Sequence, residues 1–339
     1  MTRIMLIFAA ALTLAMAVTP LAKRLAMRTN MVDRPAQRKL HVTPTPLLGG
    51  LAIYAAVIAA LLLMDDKFFV HQAAGIVIGA SLISFLGLWD DRMPLPAGIK
   101  LLGQVLPVIV LLVTGVRIAI FHSAALNVIL TLIWVLFITN AVNFLDNMDG
   151  LSAGVSAMAS AYFVLLAALS GQYLVGALAA ALLGACIGFL VYNFNPASIF
   201  MGDTGSLFLG FVLAAVGIKL RFPTNVPAVT WMIPALVLGV PILDTSMVIV
   251  SRLRRGKNPF TTPGKDHLSH RLTLMGYTRR EAVLSLYLLG SIFGMIAVFV
   301  TRASIWEAAV IGVSVFLAGV ATIRYMERIL RQKKPAAKT

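Results

Sequence analysis

The chain has 339 residues, of which 60% are hydrophobic and only 12% are charged, and its formal net charge is +15. This composition excludes an ordinary soluble globular protein. It is typical of a polytopic helical membrane protein, so the predicted fold class is all-α. Nucleic acid is excluded as a partner, because no segment is long enough to form a soluble basic face with interleaved aromatic residues. The lone Cys186 lies in an apolar segment and is interpreted as a small packing residue.

Eleven apolar segments are predicted as transmembrane helices, since a span needs about 20 apolar residues to cross about 30 Å of hydrocarbon. In chain order they are 4–20, 47–64, 72–88, 100–114, 125–141, 151–169, 173–191, 205–219, 228–249, 283–300 and 304–323. An error in either short segment, 100–114 or 205–219, would reverse the orientation of every later span. The prediction is therefore one transmembrane domain over residues 1–325, followed by a basic tail over 326–339.

The distribution of Lys and Arg predicts the orientation of the spans. All but six of the 28 basic residues lie in 21–46, 90–100, 251–282 or the C-terminal segment. Basic residues resist translocation, so these segments are predicted to be cytoplasmic, with the N-terminus outside and the C-terminus inside. Residues 1–20 also resemble a cleaved signal peptide, but cleavage would leave the basic residues of 21–46 outside, against the charge rule.

Five aspartates lie where predicted spans end: Asp90, Asp91, Asp146, Asp149 and Asp203. The loops 142–150 and 192–204 that carry three of them are predicted to be cytoplasmic. A carboxylate near hydrocarbon costs a few kcal/mol unless it is hydrated, paired or bound to a cation. This placement predicts a metal-dependent site for an anionic substrate at the membrane surface. A lipid or ion transporter would instead favour ionisable groups near the bilayer midplane, and a non-catalytic scaffold would need no such cluster.

Each acidic motif also has a structural interpretation. Asp90 could simply pair with Arg92, although two adjacent carboxylates repel and so recruit a metal or raise a proton affinity. Asp203 could cap the start of the next span. Asp244 lies deeper within a predicted span, where an ion pair or polar packing contact is at least as good an explanation as catalysis, and it is left outside the predicted site.

The two longest cytoplasmic loops, 21–46 and 251–282, are basic and contain His, Pro and Gly. Such loops often only maintain topology. The histidines and the rigid Pro and Gly positions favour contact with a ligand.

Four motifs occur in order within residues 30–275: Leu88-Trp89-Asp90-Asp91, Asn143-x-x-Asp146-x-x-Asp149-Gly150, Phe200-Met201-Gly202-Asp203 and Asp266-His267-Leu268-Ser269-His270-Arg271-Leu272. Together they resemble the polyprenyl-phosphate N-acetylhexosamine-1-phosphate transferase superfamily, glycosyltransferase family 4. The segment 38–41 (Arg-Lys-Leu-His) and the His-Leu-x-His-Arg-Leu run resemble its WecA/TagO-like branch, whereas the MraY branch has three consecutive histidines at the latter site. Ser269 stands where that branch usually has a histidine, so the resemblance specifies the reaction type more closely than the sugar.

The resemblance implies transfer of N-acetylglucosamine 1-phosphate from UDP-N-acetylglucosamine to undecaprenyl phosphate, with release of UMP. The alternatives are another UDP-HexNAc or the muramoyl-pentapeptide donor. The implied location is the bacterial inner membrane, with a cytoplasmic active site and a homodimeric assembly. The implied cofactor is Mg²⁺, with Mn²⁺ as the second choice. Cations are needed on physical grounds too, because a lipid phosphate and a soluble diphosphate must meet at one surface.

The resemblance also assigns roles to residues. The implied metal ligands are Asp203, Asn143 and Asp91. The implied catalytic residues are Asp90, Asp91, Asp146, Asp149 and His267. The implied substrate-binding residues are Lys39, His41, Lys100, Asn193, Phe200, Arg252, Arg254, His270 and Arg271. Among them, Asp90 would orient or deprotonate the lipid phosphate, and direct attack and a phospho-aspartate intermediate both remain open. Phe200 and Asn193 would hold the uracil.

Overall fold

The computed structural model describes residues 2–33, 44–64, 70–223, 225–259, 262, 264 and 266–333. The described residues are mostly helical, and the only strands among them are two short ones. This confirms the predicted helical class. The chain divides into two compact units, Met1–Phe222 and Pro223–Thr339.

Within the described residues, the first unit contains eight helices and one two-stranded sheet. The helices are α1 (Thr2–Arg28), α2 (Gly49–Leu61), α3 (Val70–Arg92), α4 (Ala97–Val113), α5 (Ala124–Phe144), α6 (Leu151–Ser170), α7 (Tyr173–Asn193) and α8 (Gly202–Lys219). The strands are β1 (Val32–Asp33) and β2 (Thr45–Pro46), which pair antiparallel with Val32 opposite Pro46.

Helix α8 lies at the centre of this unit. Of the residues in its most apolar 18-residue stretch, 89% are buried, compared with 22% for the corresponding stretch of α1. A helix that is apolar on all sides is stable when neighbours cover it, and α8 contacts α2, α3 and α5. Its first turn, which contains Asp203, therefore has a fixed position at the end of a buried helix.

A close approach between α3 and α8 sets the position of that first turn. An ideal Cβ on Gly87 would lie 2.4 Å from the backbone oxygen of Asp203, so only glycine fits here without a backbone shift. We expect Gly87→Ala to destabilise the protein by about 1–3 kcal/mol, because the added methyl overpacks a helix contact. Gly98→Ala is the matched control, since a Cβ there would have no atom within 4 Å. Thermal unfolding in detergent measures both, and equal midpoints for the two variants would contradict the packing argument.

The described part of the second unit forms five helices: α9 (Pro227–Val237), α10 (Gly239–Leu253), α11 (Leu268–Leu274), α12 (Arg279–Val300) and α13 (Ile305–Lys333). Helix α12 begins with a capping box, in which Thr278 and Glu281 each accept the other's backbone N–H. The short helix α11 contacts α12 and α13. The histidine motif thus lies on a short element held against two long helices.

The predicted span 228–249 is two helices in the structure. Helices α9 and α10 meet at an angle of 80°. Pro241 has no N–H to donate to the carbonyl of Val237, which removes one helical hydrogen bond at this point. Close packing of Gly239 against Phe293 of α12 accompanies the bend, since a Cβ there would lie 2.7 Å from that ring. In the sequence, this break is therefore marked by Gly239 and Pro241 within an apolar segment.

The other predicted spans each correspond to one helix. Eight helices of the described residues are long and apolar enough to cross a membrane, or nine spans if the bent pair counts as one. Helices α2 and α4, at 13 and 17 residues, are apolar but shorter. The fold is that of a polytopic helical membrane protein.

Candidate active site

Two carboxylates of the first unit converge on one ammonium group. Lys100 Nζ lies 3.0 Å from Asp90 Oδ2, and it also pairs with Asp203 Oδ2. These side chains come from the end of α3, the start of α4 and the start of α8. Asp90 is held in place by the backbone N–H of Leu95, which donates to Oδ1 at 2.6 Å. The sequence prediction placed all three residues in the site, and the structure brings them together.

Asn143, at the end of α5, orients Asp203. Its Nδ2 donates to Asp203 Oδ1 at 2.7 Å and is 2.8 Å from Ser206 Oγ. Ser206 in turn donates to the carbonyl of Gly202. The predicted proximity of Asn143 and Asp203 is therefore present, and both oxygens of Asp203 have partners.

Asp91 caps helix α8. Its Oδ1 accepts the backbone N–H of Asp203 at 2.8 Å, and its Oδ2 accepts the N–H and hydroxyl of Thr204 at 3.0 and 2.6 Å. A carboxylate at a helix N-terminus satisfies N–H groups that have no partner in the helix and interacts favourably with the helix dipole. These contacts make Asp91 a cap that positions the start of α8, and its role as a catalytic residue and metal ligand stays a prediction.

Asp149 and Asn193 connect the loop after α5 to the loop before α8. Asp149 Oδ2 accepts Asn195 Nδ2 at 2.9 Å and the N–H of Ala197 at 3.1 Å. Asn193 is 3% exposed, donates to the carbonyl of Ile199 and accepts the N–H of Gly150. Because its amide bonds to backbone on both sides, Asn193 connects the two loops, and its contact with uracil stays a prediction.

Phe200, the other predicted uracil contact, is half-buried in the second of these loops. Its N–H donates to the carbonyl of Pro46, and its own carbonyl accepts the N–H of Gly49. These two bonds hold the backbone at Phe200 between the end of β2 and the start of α2.

Asp146 lies in the loop between α5 and α6. Burial, followed by the negative charges of Asp203, Asp91 and Asp149, raises the pKa of Asp146 to about 8. The carboxylates near Asp146 thus carry more negative charge than Lys100 neutralises. A bound cation would favour the ionised form of Asp146.

In the second unit, His267 pairs with Asp244. His267 Nδ1 lies 2.7 Å from Asp244 Oδ2, and Asp244 Oδ1 accepts the N–H of Leu268 at 2.6 Å. Asp244 is 1% exposed, and the His270 ring lies edge-on to that of His267 with centroids 6.3 Å apart. Sequence reasoning left Asp244 outside the site. A carboxylate inside a membrane span is costly unless it is paired, so the position of Asp244 within a span already indicated that it has a partner.

Asp266 lies between two arginines at the end of α10. Arg255 Nη2 is 2.8 Å from Asp266 Oδ1, and Arg252 Nε is 3.3 Å from Oδ2. Burial would raise the pKa of Asp266, but the two guanidinium groups hold it below its usual value. Arg252, a predicted substrate contact, is 5% exposed and paired with Asp266. Arg254, another predicted substrate contact, is exposed.

Arg271, another predicted substrate contact, is fully buried. Its Nη1 lies 2.8 Å from Glu327 Oε1 of α13, at an angle outside hydrogen-bond geometry. Its Nε donates to the carbonyl of Asp266 at 2.8 Å. These contacts make Arg271 a connection between α11 and α13. Of the remaining predicted residues, Lys39 and His41 lie outside the described part of the chain.

These observations define a polytopic membrane protein with a polar site of carboxylates, amides and a lysine at helix ends. Residues 73–221 match glycosyl transferase family 4. The chain is 37% identical over 315 residues to the probable undecaprenyl-phosphate N-acetylglucosaminyl 1-phosphate transferase of Bacillus subtilis (strain 168), covering 90% of this chain and 87% of that relative. The chain belongs to glycosyl transferase family 4, and the predicted resemblance is confirmed.

Two further relatives differ in the substrates in their names. The chain is 35% identical over 306 residues to the decaprenyl-phosphate N-acetylglucosaminephosphotransferase of Mycobacterium leprae (strain TN), covering 80% of this chain and 77% of the relative. It is 29% identical over 310 residues to the phospho-N-acetylmuramoyl-pentapeptide-transferase of Geobacillus sp. (strain WCH70), covering 83% and 91%.

Proposed function

We propose that the protein transfers N-acetylglucosamine 1-phosphate from UDP-N-acetylglucosamine to undecaprenyl phosphate and releases UMP. The names of the relatives from Bacillus subtilis and Mycobacterium leprae support this choice of donor sugar and of a polyprenyl phosphate acceptor. The observation that carries the proposal is the convergence of Asp90, Lys100 and Asp203, because such a site can gather a cation and two phosphate groups. The product would start a lipid-linked glycan of the cell envelope.

We place Mg²⁺, or Mn²⁺ as the second choice, at Asp203, with Asn143 beside it. The fit is supported by Lys100, whose ammonium already occupies a cation position between Asp203 and Asp90. One carboxylate with an amide beside it is a donor set that suits Mg²⁺, which commonly binds one or two carboxylates and completes its shell with water and substrate phosphates. When bound, the ion would neutralise charge on the donor diphosphate.

The reaction is an in-line displacement at phosphorus. An oxygen of the lipid phosphate forms a bond to the β-phosphorus of the donor, and the bond from that phosphorus to the bridging oxygen breaks. UMP departs with the electron pair. Lys100 reduces repulsion between the two anions, and Asp90 orients the lipid phosphate. A phosphate monoester is largely dianionic at neutral pH, since its second pKa is about 6, so little proton removal is required. In the alternative route, Asp90 would attack the β-phosphorus and release UMP, and the lipid phosphate would then displace Asp90 from the phospho-aspartate.

The other residues of the proposed site either position its loops and helices or contact the substrates. We propose that Asp91, Asn193 and Asp149 position the loops and α8, because their carboxylate or amide groups are bonded to backbone. We propose His267, His270 and Arg254 as donor contacts in the second unit. Phe200 stays our proposed uracil contact, and Lys39 and His41 our proposed phosphate contacts.

We further propose the predicted topology of eleven spans, with the N-terminus outside and the C-terminus inside. The bent pair and the two short helices α2 and α4 bring the apolar segments of the described residues to that number. On this basis the site faces the cytoplasm at the inner membrane. We separately propose a homodimer as the working assembly, as the family resemblance implies. The bilayer is a partner because the acceptor lipid reaches the protein from it.

The UDP-linked muramoyl-pentapeptide is the alternative donor to compare with UDP-N-acetylglucosamine. The Geobacillus relative's name specifies the muramoyl-pentapeptide, and Ser269 departs from the histidine run in the sequence motif. A different UDP-HexNAc is the other alternative.

The test uses purified protein in detergent with undecaprenyl phosphate, Mg²⁺ and a panel of UDP-sugars, including the UDP-linked muramoyl-pentapeptide. We expect UMP release with UDP-N-acetylglucosamine, its loss on adding EDTA, and its return with excess Mg²⁺. Release with another donor alone would move the assignment to that sugar. Folded protein that turns over none of these donors would contradict the proposed reaction.

A further inference from the structure

His267 immediately precedes helix α11, and the carboxylate of Asp244 contacts both its ring and the first N–H of the helix. Asp244 Oδ1 accepts the N–H of Leu268 at 2.6 Å, while Oδ2 lies 2.7 Å from His267 Nδ1. Side-chain exposure is 8% for His267 and 1% for Asp244. A helix cap alone requires a single acceptor oxygen. The second oxygen therefore has a partner that capping does not explain.

The chemistry of the pair fixes where the ring carries its proton. An ionised carboxylate only accepts hydrogen bonds, so at 2.7 Å from Oδ2 the nitrogen Nδ1 must donate. A neutral imidazole with its proton on Nδ1 has its lone pair on Nε2. Carboxylates commonly set the tautomer and the direction of functional histidines in this way.

We propose that Asp244 is a positioning residue that holds His267 in the Nδ1–H tautomer and thereby sets Nε2 as the nitrogen that interacts with the donor. This inference rests on the proposed function, because it specifies how His267 takes part in that transfer. Asp244 acts through His267 and does not itself touch the substrate. Its contribution is the orientation and proton position of the ring.

Asp244→Asn separates this role from capping. The amide oxygen can still accept the N–H of Leu268, but the amide nitrogen would donate to His267 Nδ1 and move the ring proton to Nε2. We expect ¹⁵N NMR of histidine-labelled protein to show Nδ1–H in the wild type and Nε2–H in the variant. The chain has five histidines, and a His267→Gln sample assigns the signal. We expect kcat to fall by about 10²-fold with KM for the donor nearly unchanged.

Thr245→Val is the control in the same turn of α10. Its hydroxyl is buried and has no hydrogen-bond partner within the described ranges, so its removal should leave the tautomer and kcat unchanged. A wild-type ring protonated on Nε2 alone, or an unchanged tautomer in folded Asp244→Asn, would overturn the proposal. If the wild type shows Nδ1–H but releases no UMP with any donor, the proposed transfer reaction fails while the pairing of Asp244 with His267 stands.

Discussion

Replacing Asp203 with asparagine is expected to lower kcat by about 10³-fold and to abolish metal binding. The change removes the negative charge that faces Lys100 and that we assign to the cation, while it keeps the size of the side chain. The backbone N–H of residue 203 still donates to Asp91, so the start of α8 is preserved. Activity is followed by UMP release, and metal affinity is followed separately by electron paramagnetic resonance with Mn²⁺.

Glu307→Gln is the matched control for that experiment. It makes the same change from carboxylate to amide at an exposed helix cap in the second unit, where Glu307 accepts the N–H of Ser304. We expect wild-type turnover and Mn²⁺ affinity from this variant. If Asp203→Asn bound Mn²⁺ as tightly as the control, Asp203 would not be a metal ligand.

The second large effect concerns the buried pair between α11 and α13. Arg271→Met is expected to destabilise the protein by about 3 kcal/mol, because it removes the paired guanidinium from the buried carboxylate of Glu327 and leaves Ser251 and the charge of Arg255 as its remaining partners. The double variant Arg271→Met with Glu327→Met should recover most of that loss, since an apolar pair can replace a buried ion pair at little cost. Unfolding in mixed detergent micelles measures the free energies of the variants.

The same double variant decides between two roles for Arg271. If Arg271 only connects α11 to α13, the double variant should regain activity along with stability. The sequence motif instead predicts that Arg271 contacts the substrate. Restored stability without activity would support that prediction, and equal stability of wild type and Arg271→Met would contradict the ion-pair argument.

The sequence predicted the elements well because apolar run length is a local property. Each predicted span corresponds to a helix or to the bent pair, and the five aspartates do lie at helix ends. The grouping of Asp90, Lys100 and Asp203 was predicted through the family resemblance. Residue type and placement alone predicted a metal-dependent site for an anionic substrate on one side of the membrane, but not which side chains pair within it.

The pairings that define individual roles were not predictable, because they join residues far apart in the chain. Asp91 caps helix α8 by accepting the N–H of Asp203, 112 residues further along the chain, and Asp244 contacts His267 across 23 residues. Motif reading gave Asp91 and Arg271 chemical roles because both lie within recognisable runs. Their partners are set by tertiary packing, which a single sequence does not display. The 80° bend between α9 and α10 was missed although Pro241 marks it.

The central claim is that the protein moves a sugar together with its phosphate, and labelled donor tests it most directly. UDP-N-acetylglucosamine carrying ³²P at the β-phosphorus is incubated with the protein, undecaprenyl phosphate and Mg²⁺, and lipid is extracted from the aqueous phase. We expect the label to appear in the lipid fraction while unlabelled UMP is released in equal amount. Label that stays in water-soluble UDP while sugar appears in the lipid would contradict it, because that outcome means transfer of the sugar alone.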